Sequence, residues 1–200
     1  YAPYATGELR YPFAAFDAME AWNGLWTSDM PWNADNGAAV RAWEASLTRG
    51  QRAERWTPVI GNSDAHLDGQ LGLPHTVVLA DALSTGSVLA AVRAGRCWVA
   101  GSMAIDVSLT VSAGGRAAGI GERLATNGSV CNVRLQVDGA ASASVAIRTP
   151  RGVVHREAVP AEGSAVIHWD TDSAASRFVR VEIRDSHGQM LALTNPVFLD

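Results

Sequence analysis

Residues 59–66 read VIGNSDAH, a short apolar run that ends in polar residues and closes on Asp64-x-His66. With Thr57 and Pro58 the run is long enough for a short buried strand. In an extended chain, residues two apart point the same way, so the Asp64 carboxylate and the His66 imidazole can converge on one centre. An oxygen and a nitrogen donor together suit zinc, manganese or iron better than calcium. Two ligands do not make a catalytic zinc site, which takes three from the protein. The plainer reading of the spacing is a capping Asp followed by a partly exposed His. The strand decides between them. If residues 57–61 form a buried parallel strand, its carboxyl end is where α/β proteins bind ligands.

Around that stretch the first hundred residues alternate strand and helix signals. FDAMEAWN (16–23) reads as a strand whose end carries Glu20 and Asn23. A helix follows, with Asp35 or Asn36 as cap, Val40, Trp43 and Leu47 as its apolar stripe, and Gly50 as its stop. HTVVLA (75–80) is a further strand, and Ser84 caps a second helix that runs to Gly95. Strands that are apolar throughout, separated by helices, predict an α/β layout with a parallel sheet.

After Gly101 the helix signals stop and about seven strand-like runs follow, separated by Gly, Asn, Pro or Ser turns. In RFVRVEIRD (177–185), Val179, Val181 and Ile183 face one way and Arg180, Glu182 and Arg184 the other. That alternation predicts a sheet with one buried and one wet face, and an antiparallel β-sandwich over residues 101–200. Residues 1–100 form the α/β part. The glycine-rich SAGGRAAGIGE (112–122) has no following helix and no Lys, so it reads as a bulged hairpin rather than a phosphate loop.

Composition narrows the function classes. The net charge of −4 offers no basic face to nucleic acid or to an anionic membrane. No apolar run approaches the ~20 residues that span a bilayer, so the chain is expected to be soluble, in the cytoplasm or secreted. Cys97 and Cys131 are too few for a disulfide framework or a cysteine-based zinc site and read as buried free thiols. His75, His155, His168 and His187 lie at strand starts, in β runs or in turns, where hydrogen-bonded or surface roles are commoner than ligation.

Taken in order, FDAMEAWNG, VRAWEASLTRGQR, VIGNSDAH, GLPHTVVLADALSTGSVLAAVRAGRCWVAGS and TNPVFL resemble the C-terminal portion of the PHP (polymerase and histidinol phosphatase) superfamily of metallohydrolases. The likeness covers nearly the whole chain and is nearest to the carbaryl-hydrolase-like (CehA/McbA-type) branch. It implies part of a distorted (β/α)7 barrel followed by the β-sandwich. It also implies a cluster of divalent transition metal ions (zinc, manganese or iron) that activates water against a small phosphoester or a related carbamate, amide or ester. Asp64 and His66 match the family's last Asp-x-His ligand motif. Glu20 and Asn23 match a strand end near the site, where they are expected to support the ligands or face the substrate rather than bind a metal themselves.

The family's opening His-x-His motif and its middle histidine ligands have no counterpart here. The chain is therefore expected to hold one corner of the metal site and to have little activity by itself. A cut barrel would leave an open strand edge and uncover Trp22, Trp26, Trp32, Trp43 and Trp56. Self-association through that edge, or poor order over residues 1–35, is expected. The competing reading is a non-catalytic β-sandwich module for binding or interface-building, in which Asp64 and His66 are a loop without metal.

Overall fold

β-Branched residues at alternate positions draw most of residues 101–200 into strands, and short apolar runs do the same before them. The computed structural model describes residues 16–24, 32–49 and 56–200. Its first elements are β1 (Met19–Asn23), α1 (Ala34–Arg49), β2 (Val59–Asn62), β3 (His75–Val78), α2 (Thr85–Arg93) and β4 (Cys97–Ala100). Next come β5 (Asp106–Ala113), β6 (Arg116–Gly119), β7 (Arg123–Leu124), β8 (Cys131–Asp138), β9 (Ser144–Thr149) and β10 (Gly152–Ala158). The chain closes with β11 (Ala165–Thr171), α3 (Ser173–Ser176), β12 (Phe178–Arg184), β13 (Met190–Thr194) and β14 (Val197–Leu199). Trp26, the helix stop expected at Gly50, and the part of the order expectation that concerns residues 1–15 and 25–31 lie outside the described residues.

Among the described residues the strands form three sheets. One has four strands in the order β11-β8-β5-β6, and one pairs β1 with β2. The largest runs β10-β9-β12-β13-β4-β3, with β14 joined to β12 and β7 joined to β14. The first and the largest face each other across one core that includes Val107, Leu109, Val133, Leu135, Val145, Ile147, Val181 and Ile183. A second core lies on the other face of the largest sheet. There Val99, Phe178, Leu193 and Phe198 meet Met19, Trp22, Trp43, Leu47 and Val59. The molecule is thus three layers, a sandwich with β1, β2 and α1 laid over its outer face. No helix among the described residues is long and apolar enough to cross a membrane.

No partial (β/α)7 barrel forms among the described residues. Only β1 and β2 pair in parallel among the strands that were to build it. β3 and β4 are antiparallel to each other although α2 connects them, and β4 pairs antiparallel with β13 of the sandwich. The reason lies in the hydrogen bonds at the edges of the β1–β2 pair. Val59 and Gly61 point their backbone groups away from β1, where a barrel would supply the next strand. Instead the Val59 N–H donates to Asn195 Oδ1 at 2.8 Å and Asn195 Nδ2 donates to the Val59 carbonyl at 3.0 Å. The Gly61 N–H donates to Thr76 Oγ1 at 2.9 Å, and that hydroxyl donates to the Gly61 carbonyl at 2.7 Å. At the far edge, the Asn23 N–H donates to Asn36 Oδ1 and Asn36 Nδ2 donates to the Asn23 carbonyl. Side chains occupy the places a further strand would take at Asn23, Val59 and Gly61, and among the described residues the parallel sheet has two strands.

Asn36 is free for that task because it is not the helix cap. Asn33 Oδ1 accepts from the Asn36 N–H at 2.9 Å, so Asn33 caps α1, three residues before the expected position of Asn36. Ser84 does cap α2, accepting from the Ser87 N–H. Trp22 and Trp43 are fully buried in the second core, and Trp32 and Trp56 pack against it.

The wet face expected for β12 is also buried. Val179, Val181 and Ile183 line the sandwich core as the alternation requires, but Arg180 is 0% and Glu182 5% exposed on the opposite side. α1 covers them. Arg180 lies directly across from Arg148 of β9, a like-charge pair that by itself would part the strands. Glu44 of α1 sits between the two. Arg148 Nε and Nη2 donate to its carboxylate at 3.1 and 3.0 Å, and Arg180 Nη2 lies 2.9 Å from its Oε1. Glu182 takes Arg180 Nη1 at 2.9 Å and Arg184 Nη2 at 3.2 Å. Both contacts of Arg180 are close ion pairs. The Trp43 ring covers it, 5.2 Å from the guanidinium carbon.

Burial pushes the Glu44 and Glu182 carboxyls up, but the charges of Arg180 and Arg148 outweigh it, and both are held below the ordinary 4.5. Such a carboxyl binds fewer protons folded than unfolded. Its stabilisation is full above 4.5 and is lost as pH falls through the lowered value. Glu44→Gln is predicted to cost about 3 kcal/mol at neutral pH in urea denaturation, since it leaves two opposed arginines under-neutralised. The same variant should lose part of the wild-type decline in stability below 4.5. An unchanged acid profile would show that Glu44 does not carry it.

Candidate functional site

β1 and β2 end side by side. Asn23 and Asn62 are register partners, and the Gly24 N–H donates to the Asn62 carbonyl at 2.9 Å. Gly24 has to be glycine, because a Cβ there would collide with the Ser63 carbonyl and lie 3.0 Å from that of Leu73. Gly61 is constrained in the same way by Val99 and by the Trp22 carbonyl, 2.8 Å from a Cβ placed there. These two glycines let β2 lie against both β1 and β4, and they set where the chain emerges.

It emerges into a turn rather than continuing extended. Asp64 takes a left-handed conformation, φ 46°, and its N–H donates to Asn62 Oδ1 at 2.7 Å. The Gln70 side chain then fixes the next bend, accepting from the His66 and Leu67 N–H groups at 3.0 and 3.1 Å. The expected convergence of Asp64 and His66 does occur, although by a different route. Asp64 Oδ1 lies 3.4 Å from His66 Nε2, with both side chains open to solvent.

That separation tests the pair against a metal. Two donors of a tetrahedral shell with bonds of about 2.0–2.1 Å lie about 3.3–3.4 Å apart. One carboxylate oxygen and one imidazole nitrogen at this spacing fit two corners of a zinc-type shell. Among the described residues no group of three or more His, Cys, Asp or Glu side chains is placed to complete it.

Glu20 and Asn23 stand at the same end of the parallel pair. Asn23 Nδ2 donates to Glu20 Oε2 at 3.2 Å, so these two bond to each other, and the Asn23 backbone is held by Asn36. The other histidines lie apart. His75 Nδ1 is 2.9 Å from the Gly72 carbonyl at the start of β3, and His155 pairs with Glu157 on β10.

Sequence reading missed the residues that hold this end in place, namely Asn36, Thr76 and Asn195. Asn195 left one trace, a lone amide inside the mostly apolar LTNPVFL. Cys97 lies beside it, with its thiol 3.3 Å from Asn195 Nδ2. Burial pushes that thiol up to about 11, which Asn195 only partly offsets, and both cysteines are free and buried. Neither is placed to serve as a nucleophile.

Residues 51–97, which span β2, its loop, β3 and α2, match a family described as PHP-associated, and this ties that stretch to PHP proteins. Neither the curated proteins nor the solved structures contain a match to the chain.

Two outcomes test this geometry. Gly24→Ala should destabilise the fold by about 1–3 kcal/mol in urea denaturation, the usual cost of overpacking. Cys97 should resist a thiol reagent at pH 8 in the native protein and react once denaturant is added; rapid native labelling would contradict its burial.

Proposed function

We propose that this chain carries one part of the metal site of a hydrolase of the carbaryl-hydrolase-like (CehA/McbA-type) PHP branch. Its substrate would be a small phosphoester or a related carbamate, amide or ester. The observation that carries the reading is the Asp64–His66 pair, whose donors stand at a metal-shell spacing just past the end of a parallel strand. The match of residues 51–97 to a PHP-associated family supports it.

A divalent transition metal held there would supply a water acidic enough to ionise near neutral pH and would polarise the bond to be cut. Asp64 and His66 hold it from one side, and the remaining ligands come from outside the described residues. Glu20 and Asn23 line the substrate side at the neighbouring strand end. The Glu20 carboxylate accepts from Asn23, and the pair offers an oriented carboxylate oxygen and an amide carbonyl to a substrate group.

One observation favours the non-catalytic reading. His66 and Asp64 are 63% and 47% exposed, as the members of an ordinary surface pair are. The two readings separate in a titration with Co2+, whose absorption reports tetrahedral coordination. The metal reading predicts Co2+ binding that weakens at least tenfold in Asp64→Asn and in His66→Ala, with thermal stability unchanged. Equal binding by the wild type and both variants would remove these residues from any metal site.

A further inference from the structure

We infer that Asn195 is a positioning residue for the Asp64–His66 pair, acting through the outer edge of β2. The inference rests on the proposed metal site only for the meaning of that pair. Asn195 lies between β13 and β14, is fully buried, and reaches β2 across 136 residues of sequence. Its amide closes a two-bond ring on Val59, accepting from the N–H and donating to the carbonyl, and it also donates to the Cys97 carbonyl at 3.0 Å. Together with Thr76 on Gly61, it satisfies every outward backbone group of Val59 and Gly61.

A neighbouring strand would present a repeating ladder, along which β2 could slip by two residues and still be paired. A single amide and a single hydroxyl allow one register only. β2 is therefore held at two points by side chains from β3 and from the β13–β14 connection. The chain leaves it at Asn62, two residues before Asp64. A change at Asn195 should thus reach the Asp64–His66 pair without touching it.

Asn195→Asp keeps the shape and removes both donated bonds, turning a carboxylate oxygen toward the Val59 and Cys97 carbonyls. Thr76→Val keeps the shape and removes the hydroxyl, and Thr76→Ser restores it. The test is amide hydrogen exchange on the whole chain, together with NMR of the His66 ring and titration with Zn2+.

Asn195→Asp and Thr76→Val should each speed exchange at residues 59–62 at least tenfold, leave β5 and β8 unchanged and shift the His66 ring resonances. Zn2+ affinity should fall severalfold although neither residue is a ligand, and Thr76→Ser should behave as the wild type. Unchanged exchange at residues 59–62, or unmoved His66 resonances, would overturn the inference. So would faster exchange spread equally over β5 and β8. If Asn195→Asp does not fold, Thr76→Val decides alone. Wild-type protein that binds no Zn2+ would sink the metal reading, while exchange and the His66 resonances would still decide the positioning role.

Discussion

Two arginines, Arg148 and Arg180, face each other on adjacent strands of the largest sheet, and the carboxylate of Glu44 lies between them. Everything on that side of the sandwich depends on this contact. Without a counter-charge the face would have to stay wet, because burying two guanidinium groups side by side costs more than the apolar contacts around them return. Glu44 arrives on α1, so neutralising the arginines and covering the sheet are one event. Once α1 is down, Trp43 and Leu47 reach the second core, and Trp43 Nε1 donates to the Thr57 carbonyl just before β2.

The parallel pair β1–β2 is built in the gap that α1 leaves. Two parallel strands are too few to stand alone. Here they gain one buried face from the largest sheet, and side chains meet their outer edges at Asn23, Val59 and Gly61. Asn36 closes the outer edge of β1 at Asn23, and Asn195 and Thr76 close that of β2. These contacts explain why strand and helix signals that alternate like a barrel do not build one. A barrel needs each strand to hand its free edge to the next. In this chain side-chain amides and a hydroxyl sit on those edges, and β3 and β4 turn antiparallel to join the sandwich.

The candidate site inherits its geometry from this arrangement. Its two donors are fixed by a turn at Asp64, the turn by the end of β2, and the end of β2 by residues from β3 and from the connection before β14. Much of the site was legible in the sequence, because Asp-x-His at the end of an apolar run is a local pattern. The residues that orient it were not, since a lone Asn in LTNPVFL or a Thr in HTVV has many satisfactory surroundings. Only the partner backbone tells which one applies.

The sequence by itself determined most strands after Gly101, the cap of α2 at Ser84 and the buried state of both cysteines. Each of these follows from neighbours within a few residues, where periodicity, capping and reach act directly. Tertiary structure decided that the charged face of β12 is buried, that β3 and β4 join the sandwich, and that two parallel strands do not become a barrel. The physical reason is the same in each case. A charge or a free backbone group is buried or exposed according to whether a partner reaches it, and here the partners of Arg180 and Val59 lie 136 residues away.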